Sequence, residues 1–449
     1  MLIKYINKGD GYMDFVLDKN KIVSLMRKKG IKSQTELAKK MEISKNQLSL
    51  ILSHKFNPVK SNVSLMADIL GDDILSAINT KDNLKNEKLL VPENVSNEET
   101  YIETKKVYPQ KQYNVLELFA GAGGLALGLE EAGFNNAGLV EINKNAASTL
   151  KINRPNWNVI EGDIRDIVNS ENGIYDFIDK NVEIDLLSGG YPCQSFSYAG
   201  KRLGLEDTRG TLFYSYAKVL KQVKPKMFLV ENVKGLTTHD HGRTLKTMIE
   251  VFEKIGYRIK YKVLNAWDYG VAEKRQRMIL IGTRNDLSID YRFPKPHKYK
   301  PVLRDVLKNV PDSPGTKYSK KKYDVLKLVP AGGCWRDLPE QIAKEYMGAS
   351  WNSSGGRTGM ARRLSWDEPS LTLTTSPSQK QTERCHPEET RPFTTREYAR
   401  IQSFPDKWKF SGGVGAIYTQ IGNAVPVNLA KDVGLSIISA LNQLGKGEN

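Results

Sequence analysis

Pro192-Cys193-Gln194 lies in a loop of small and polar residues that follows the apolar run Ile184-Asp185-Leu186-Leu187. The run reads as a buried parallel strand, so Cys193 sits just past a strand's carboxyl end, where open α/β sheets carry reactive groups. A thiolate there can act as a nucleophile, since a free thiol with a pKa of about 8.5 ionises within reach of neutral pH. A lone cysteine is otherwise commonly a small buried hydrophobe. A second strand-like run, Met227 to Val230, ends on Glu231. Alone, Glu231 reads as a strand-end carboxylate bonded to backbone; beside Cys193 it becomes a candidate proton donor. Arg275 and Arg277, at the start of the run Arg277 to Gly282, offer fixed positive charge for an anion developing on a substrate.

A separate group of residues suits a nucleotide-like cofactor. Phe119-Ala120-Gly121-Ala122-Gly123-Gly124-Leu125 follows a strand-like run and opens a helix. Glycines let the backbone approach a ligand, and a helix N-terminus offers free N–H groups. Glu141 ends the second strand and could bond ribose hydroxyls. Asp163, in Gly162-Asp163-Ile164, follows the third and could bond an adenine amino group. Either acid could instead cap a helix. Gly121-x-Gly123-x-x-Ala126 also fits the dinucleotide fingerprint, so these residues alone leave a nicotinamide dehydrogenase open.

These groups must be carried by more than one domain, since 449 residues exceed one ordinary core. Short buried strands alternate with amphipathic helices from Tyr113, the signature of a parallel sheet covered on both faces. Residues from about 285 to 360 lose that alternation and gain Lys, Pro and Gly, including Lys320-Lys321-Lys322. Residues 14–78 form a helical unit in which Leu37, Ala38, Met41, Leu48 and Ile51 recur at three- and four-residue spacing, broken at Glu42-Ile43 and capped at Ser44. That spacing resembles the small phage-repressor family of DNA-binding domains. The resemblance implies a recognition helix presenting Lys45, Asn46, Gln47 and Ser49 to DNA. The family often has Gly in the turn; here Glu42 stands there. Residues 79–112, polar and interrupted by Pro92 and Pro109, read as a linker. The net charge of +16 suits a polyanionic partner or simply a solvated surface. Three distant cysteines exclude a disulfide framework and fit a reducing cytoplasm. His239 and His241 have no apparent third ligand, so no metal is expected. There is no run of 18 apolar residues and no signal-peptide core at Met1–Tyr5, so no membrane association is expected.

Six motifs stand in the order seen in bacterial DNA cytosine-5 methyltransferases, and residues 113 to 445 resemble that family. They are Phe119 to Gly124, Pro192-Cys193-Gln194, Glu231-Asn232-Val233, Arg275-Gln276-Arg277, Arg396 to Asp406, and Gly422-Asn423-Ala424-Val425-Pro426. The resemblance implies a Rossmann-like S-adenosylmethionine-dependent methyltransferase domain (113–284, completed by 391–445), a loop-rich target-recognition region (285–390) and a small all-α helix-turn-helix domain. It implies that Phe119, Gly121, Gly123, Gly124, Glu141, Ile142, Asp163, Ile164, Pro192, Asn423 and Val425 hold S-adenosylmethionine. It further implies that Cys193 is the nucleophile, Glu231 bonds ring nitrogen 3 of cytosine, and Arg277 holds the carbonyl oxygen, with Arg275 beside it. The family often has Trp where Ile142 stands, and Gln where Glu273 stands.

The target base must leave the duplex to be reached. Ser195 to Arg209, with Lys201 and Arg202, is expected to close over it as a mobile phosphate-contacting loop. The implied partners are duplex DNA, operator DNA for the N-terminal unit, which would repress its own gene, and a restriction endonuclease working beside the enzyme. Two other readings remain: an RNA cytosine-5 methyltransferase, and a DNA-binding repressor carrying an inactive enzyme domain.

Overall fold

The structure, a computed structural model, describes residues 15–52, 60–71, 74, 77–80, 101–191, 212–352 and 359–446. Pro192, Cys193, Lys201 and Arg202 lie outside the described residues. The chain divides into two compact units, Met1–Ser96 and Asn97–Asn449.

In the first unit, helices Lys19–Lys28, Gln34–Lys40, Lys45–Ile51 and Lys60–Leu70 surround a core containing Leu25, Leu37, Met41, Leu48 and Ile51. Strands Phe15–Leu17 and Ile78–Thr80 pair antiparallel. The turn between the second and third helices carries Glu42 at φ +53°. That left-handed conformation disfavours a side chain by about 1–2 kcal/mol and would suit Gly best. The third helix then starts on a reciprocal cap: Gln47 N donates to Ser44 Oγ at 3.1 Å, and Ser44 N donates to Gln47 Oε1 at 2.8 Å. Lys45, Asn46, Gln47 and Ser49 are exposed on this helix, while Leu48 and Ile51 face the core.

The second unit is built on a seven-stranded sheet: β1 (Tyr113–Leu118), β2 (Phe134–Glu141), β3 (Val159–Glu161), β4 (Leu186–Gly189), β5 (Met227–Val233), β6 (Tyr257–Asn265) and β7 (Gln276–Arg284). Their order is β3-β2-β1-β4-β5-β7-β6. The first five are parallel, but β7 is antiparallel to both its neighbours, so the sheet is mixed rather than wholly parallel. Strand β6 had no clear signal because Arg258, Lys260 and Lys262 alternate along it, a composition suited to an edge. The chain reverses direction across the sheet between β1 and β4, which opens a crevice at their carboxyl ends. Because β7 runs backwards, its first residues arrive at that same edge, with Arg277 opposite Val233.

Helix α1 (Gly124–Ala132) packs against the late helix α2 (Val427–Leu441), burying Leu129, Val433 and Ile437 completely. Each such side chain contributes about 1.5–3 kcal/mol. An added Cβ at Gly128 would lie 2.4 Å from Ala430 Cβ, so only glycine permits this approach. The stretch Val414–Leu441 is long and apolar enough to cross a membrane by composition, but it is two helices separated by Ala424–Pro426 and largely buried.

Part of the expected linker belongs to this unit. Tyr101–Ile102 pairs with Phe293–Pro294, and Thr104 Oγ1 donates to buried Asp432 at 2.5 Å. Residues 285–390 hold a small core of their own, with Leu326, Val329, Tyr346, Ala361 and Cys385. Within it, buried Glu383 pairs with Lys322 at 2.8 Å and accepts from Ala361 N at 2.5 Å. Cys334 and Cys385 are both buried thiols.

Candidate active site

Glu231 leaves β5 at the crevice and ion-pairs with Arg277, Oε1 to Nε at 2.7 Å, the two side chains only 13% and 11% exposed. The pairing follows from register, because Arg277 lies beside Val233 and Glu231 is two residues earlier on the same strand. Burial pushes the Glu231 carboxyl up, and the charges of Arg277 and Arg275 oppose it. Burial also pulls the Arg277 guanidinium down, helped by Arg275. The other Glu231 oxygen approaches the loop after β4: a Cβ on Gly190 would sit 2.8 Å from Oε2. The segment that continues into Pro192-Cys193 therefore begins against this carboxyl.

A residue without an expected role holds that segment. Buried Asn232 donates Nδ2 to the carbonyl of Tyr191 at 2.9 Å, and its Oδ1 accepts from Val233 N. Its position in Glu231-Asn232-Val233 was the available signal. Tyr191 packs edge-on against Phe119, ring centroids 6.2 Å apart.

Arg275 points away from the crevice. It is 1% exposed and donates to the carbonyls of Leu373 (3.0 Å) and Gly422 (2.6 Å), with Glu273 at 3.3 Å balancing its charge. Glu273 also accepts from Leu373 N at 2.7 Å. Glu273 and Arg275 thus join the start of β7 to two distant segments, which accounts for an acid where the family often has Gln.

The glycine loop separates two jobs. Gly121 (φ +56°) has open space where a Cβ would project. Gly123 (φ +85°) and Gly124 are packing positions: added Cβ atoms would lie 2.6 Å from Leu150 Cδ2 and 2.2 Å from the Val425 carbonyl. Phe119, at φ +60°, turns the chain out of β1. Glu141, 7% exposed, accepts from Gly121 N at 2.6 Å and from Asn143 N at 2.7 Å, while burial raises its pKa. Beside it Ile142 is 62% exposed. Asn423, exposed, ends the helix Val414–Asn423, and Val425 is buried against Gly124. Asp163 accepts from Arg165 N at 2.8 Å and ion-pairs with the Arg165 guanidinium at 2.5 Å. It therefore caps the short helix Ile164–Ile167, and Arg165 holds its pKa down. Ile164 is buried.

An open glycine beside a buried carboxylate, with an exposed aliphatic face next to it, fits a nucleoside-bearing cofactor. The same edge of the sheet, further along at β5 and β7, carries a buried acid and a guanidinium at the root of a cysteine loop.

Comparison with known proteins agrees. The model of the C-5 cytosine-specific DNA methylase family matches residues 113–439. The Type II methyltransferase M.Sau96I of Staphylococcus aureus is 58% identical over 440 residues, covering 95% of this chain and 99% of its own. M.Eco47II of Escherichia coli is 48% identical over 424 residues, covering 88% and 100%. An E. coli structure described as a prophage-encoded DNA modification methyltransferase superposes with a TM-score of 0.55 at 26% identity, covering 74% of this chain and all of that one. The S. pombe Dnmt2 methyltransferase shares the fold with a TM-score of 0.53 at 18% identity, with the same coverage. The chain belongs to the C-5 cytosine-specific DNA methylase family and is a DNA cytosine-5 methyltransferase that uses S-adenosylmethionine as its methyl donor.

Proposed function

We propose that the enzyme methylates cytosine within one specific duplex sequence, through a covalent bond from Cys193, as the modification partner of a restriction endonuclease in the cytoplasm. The Glu231–Arg277 pair at the root of the Pro192-Cys193 loop carries this reading. Carbon 5 of cytosine is a weak nucleophile. Attack of the Cys193 thiolate on carbon 6 moves electron density to carbon 5 and splits one hard step into easier ones. Glu231, whose burial favours the protonated acid, donates to ring nitrogen 3 and offsets the charge that develops there. Arg277 holds the carbonyl oxygen and adds fixed positive charge. S-adenosylmethionine supplies the electrophilic methyl group. Loss of the carbon-5 proton and departure of the thiolate restore the ring.

Gly121, Glu141, Ile142, Asn423 and Val425 fit the cofactor best: Gly121 leaves room, Glu141 accepts from the ribose, and Ile142 offers an apolar face to adenine. Phe119 and Ile164 flank that pocket. Asp163 can contribute a free lone pair while it caps its helix. Pro192 fixes the backbone before the nucleophile. Gly123 and Gly124 act by letting the C-terminal segment close. Arg275 acts through position, by holding β7.

Residues 285–390 form the target-recognition region, and Lys201 and Arg202 contact phosphate as the base is flipped. The N-terminal unit is a helix-turn-helix that binds operator DNA through Lys45, Asn46, Gln47 and Ser49 and represses its own gene. Its exposed polar helix and tight left-handed turn support this.

The test is transfer of labelled methyl to duplex DNA, to RNA or to neither. Duplex transfer is expected. Cys193→Ser should abolish it while DNA binding persists, and a covalent complex with 5-fluorocytosine DNA should need Cys193. Transfer to RNA alone, or full activity of the serine variant, overturns the reading.

A further inference from the structure

Ser370–Leu371 pairs in parallel with Glu273–Lys274, immediately before the strand that carries Arg277. Thr372 Oγ1 donates to Lys274 O at 2.8 Å, and the Leu373 carbonyl accepts from Arg275, which also reaches Gly422. Residues 370–374 thus run along the active-site edge, between the Glu231–Arg277 pair and the segment that closes the cofactor side. From there the chain leaves as a seven-residue loop, 375–381, and returns beside its own start. Thr374 Oγ1 lies 3.5 Å from Thr382 Oγ1 and donates to Ser376 O at 2.9 Å, and Arg384 donates back to Thr372 O at 2.9 Å.

The loop is built rather than loose. Lys322 Nζ donates to Ser378 O at 2.5 Å while ion-paired with buried Glu383. Gly359 N–Cα–C packs so closely that a Cβ would lie 2.6 Å from Gln381 O. Lys380 rests over the Tyr346 ring at 5.0 Å. On this fixed frame Gln379, Lys380 and Gln381 are exposed, and the Gln381 amide has no partner among the described residues.

Gln379 Oε1 accepts from Thr382 Oγ1 at 3.4 Å, so the amide nitrogen of Gln379 and the whole Gln381 carboxamide face outward from a short loop anchored on residues 370–374. A carboxamide offers a donor and an acceptor side by side, the pattern that reads base edges in the major groove. We infer that Gln379 and Gln381 are specificity-determining residues that hydrogen-bond base edges next to the target cytosine, with Lys380 held between them on Tyr346. The inference rests on the duplex-DNA reading above and names the residues that select the sequence.

The test is bisulfite sequencing of a genomic DNA treated with the full chain or with Gln379→Ala and Gln381→Ala variants. Each variant should methylate sites differing from the wild-type sequence at one base pair. The ratio of rates on such sites to the wild-type site should rise about tenfold, with S-adenosylmethionine affinity unchanged within about twofold; a bidentate base contact discriminates by roughly that factor or more. An unchanged sequence preference, including a uniform fall in rate on all sites, overturns the inference. If an alanine variant does not fold, Gln381→Glu decides: it keeps the shape but replaces donors with acceptors, so an altered preference supports base reading and an unaltered one refutes it. Wild-type enzyme that leaves duplex DNA unmethylated would count against the duplex reading itself, not against these residues.

Discussion

Replacing Arg277 with Met separates the ion pair from burial as the source of Glu231's charge state. The two groups lie 2.7 Å apart and are about one-tenth exposed. Their attraction is about 6 kcal/mol at an effective dielectric of 20, but the desolvation of Glu231 outweighs the nearby charges, so its carboxyl stays raised. Without the arginine, Glu231 is a buried carboxylate, but it can escape by binding a proton. The loss is then capped by the cost of protonating a carboxyl of ordinary pKa 4.5, about 3 kcal/mol at pH 7. Arg275, which also favours the carboxylate, keeps the loss below that cap. The sign follows from the raised folded-state pKa. Stability is intact below the ordinary carboxyl range and falls as pH rises toward the folded-state value. Urea unfolding of Arg277→Met should show a deficit against wild type that grows between pH 5.5 and 7.5 by up to about 2.7 kcal/mol. Adding Glu231→Gln should flatten that dependence. Methyl transfer by Arg277→Met should fall by roughly 10² or more. A deficit equal at both pH values, or unchanged by the second substitution, would refute the reasoning.

Glu117, fully buried beneath the glycine loop with a pKa raised to about 8, holds a proton that the unfolded chain releases. Wild-type stability should therefore decline from the ordinary carboxyl range up to about pH 8 and level off above it, and Glu117→Gln should remove that slope in thermal melts. Glu141→Ala should weaken S-adenosylmethionine binding by about 1–3 kcal/mol in calorimetry; unchanged affinity would remove Glu141 from the pocket. Gly128→Val should destabilise by about 1–3 kcal/mol in denaturant unfolding, because its side chain must displace Ala430 and the Val427 carbonyl. A variant as stable as wild type would show that α1 and α2 can separate.

The strands that carry the site were legible because they are continuous apolar runs, and the motifs sit at their ends. Edge strand β6 was not, since alternating lysines and arginine read as polar surface. Pairing was also invisible: nothing local to Arg277 says that its strand runs backwards to meet Glu231. The two arginines of Arg275-Gln276-Arg277 look equivalent in sequence, and their spacing would set both on one face of a strand, yet Arg275 lies just before β7 and turns to the carbonyls of Leu373 and Gly422 while Arg277 reaches the crevice. Glycines of one loop likewise look alike, and only their distant neighbours distinguish open Gly121 from packed Gly123 and Gly124. Asp163 shows the converse, a plausible ligand acid whose structure is that of a helix cap.

The closure of the glycine loop by late segments has a consequence during synthesis. Trp408 Nε1 donates to the carbonyl of Ala122 across 286 residues of chain, and Val425 and Ala430 press on Gly124 and Gly128. At roughly 5–20 residues per second, a ribosome needs on the order of 15–60 s to make that interval. During that time the glycine loop and α1 exist without the segments that close on them, and the apolar face of α1 is uncovered. A product lacking Val414–Leu441 would leave that apolar face exposed and be prone to aggregate. The glycine loop and α1 are therefore fully packed only once residues up to Ala430 have been made.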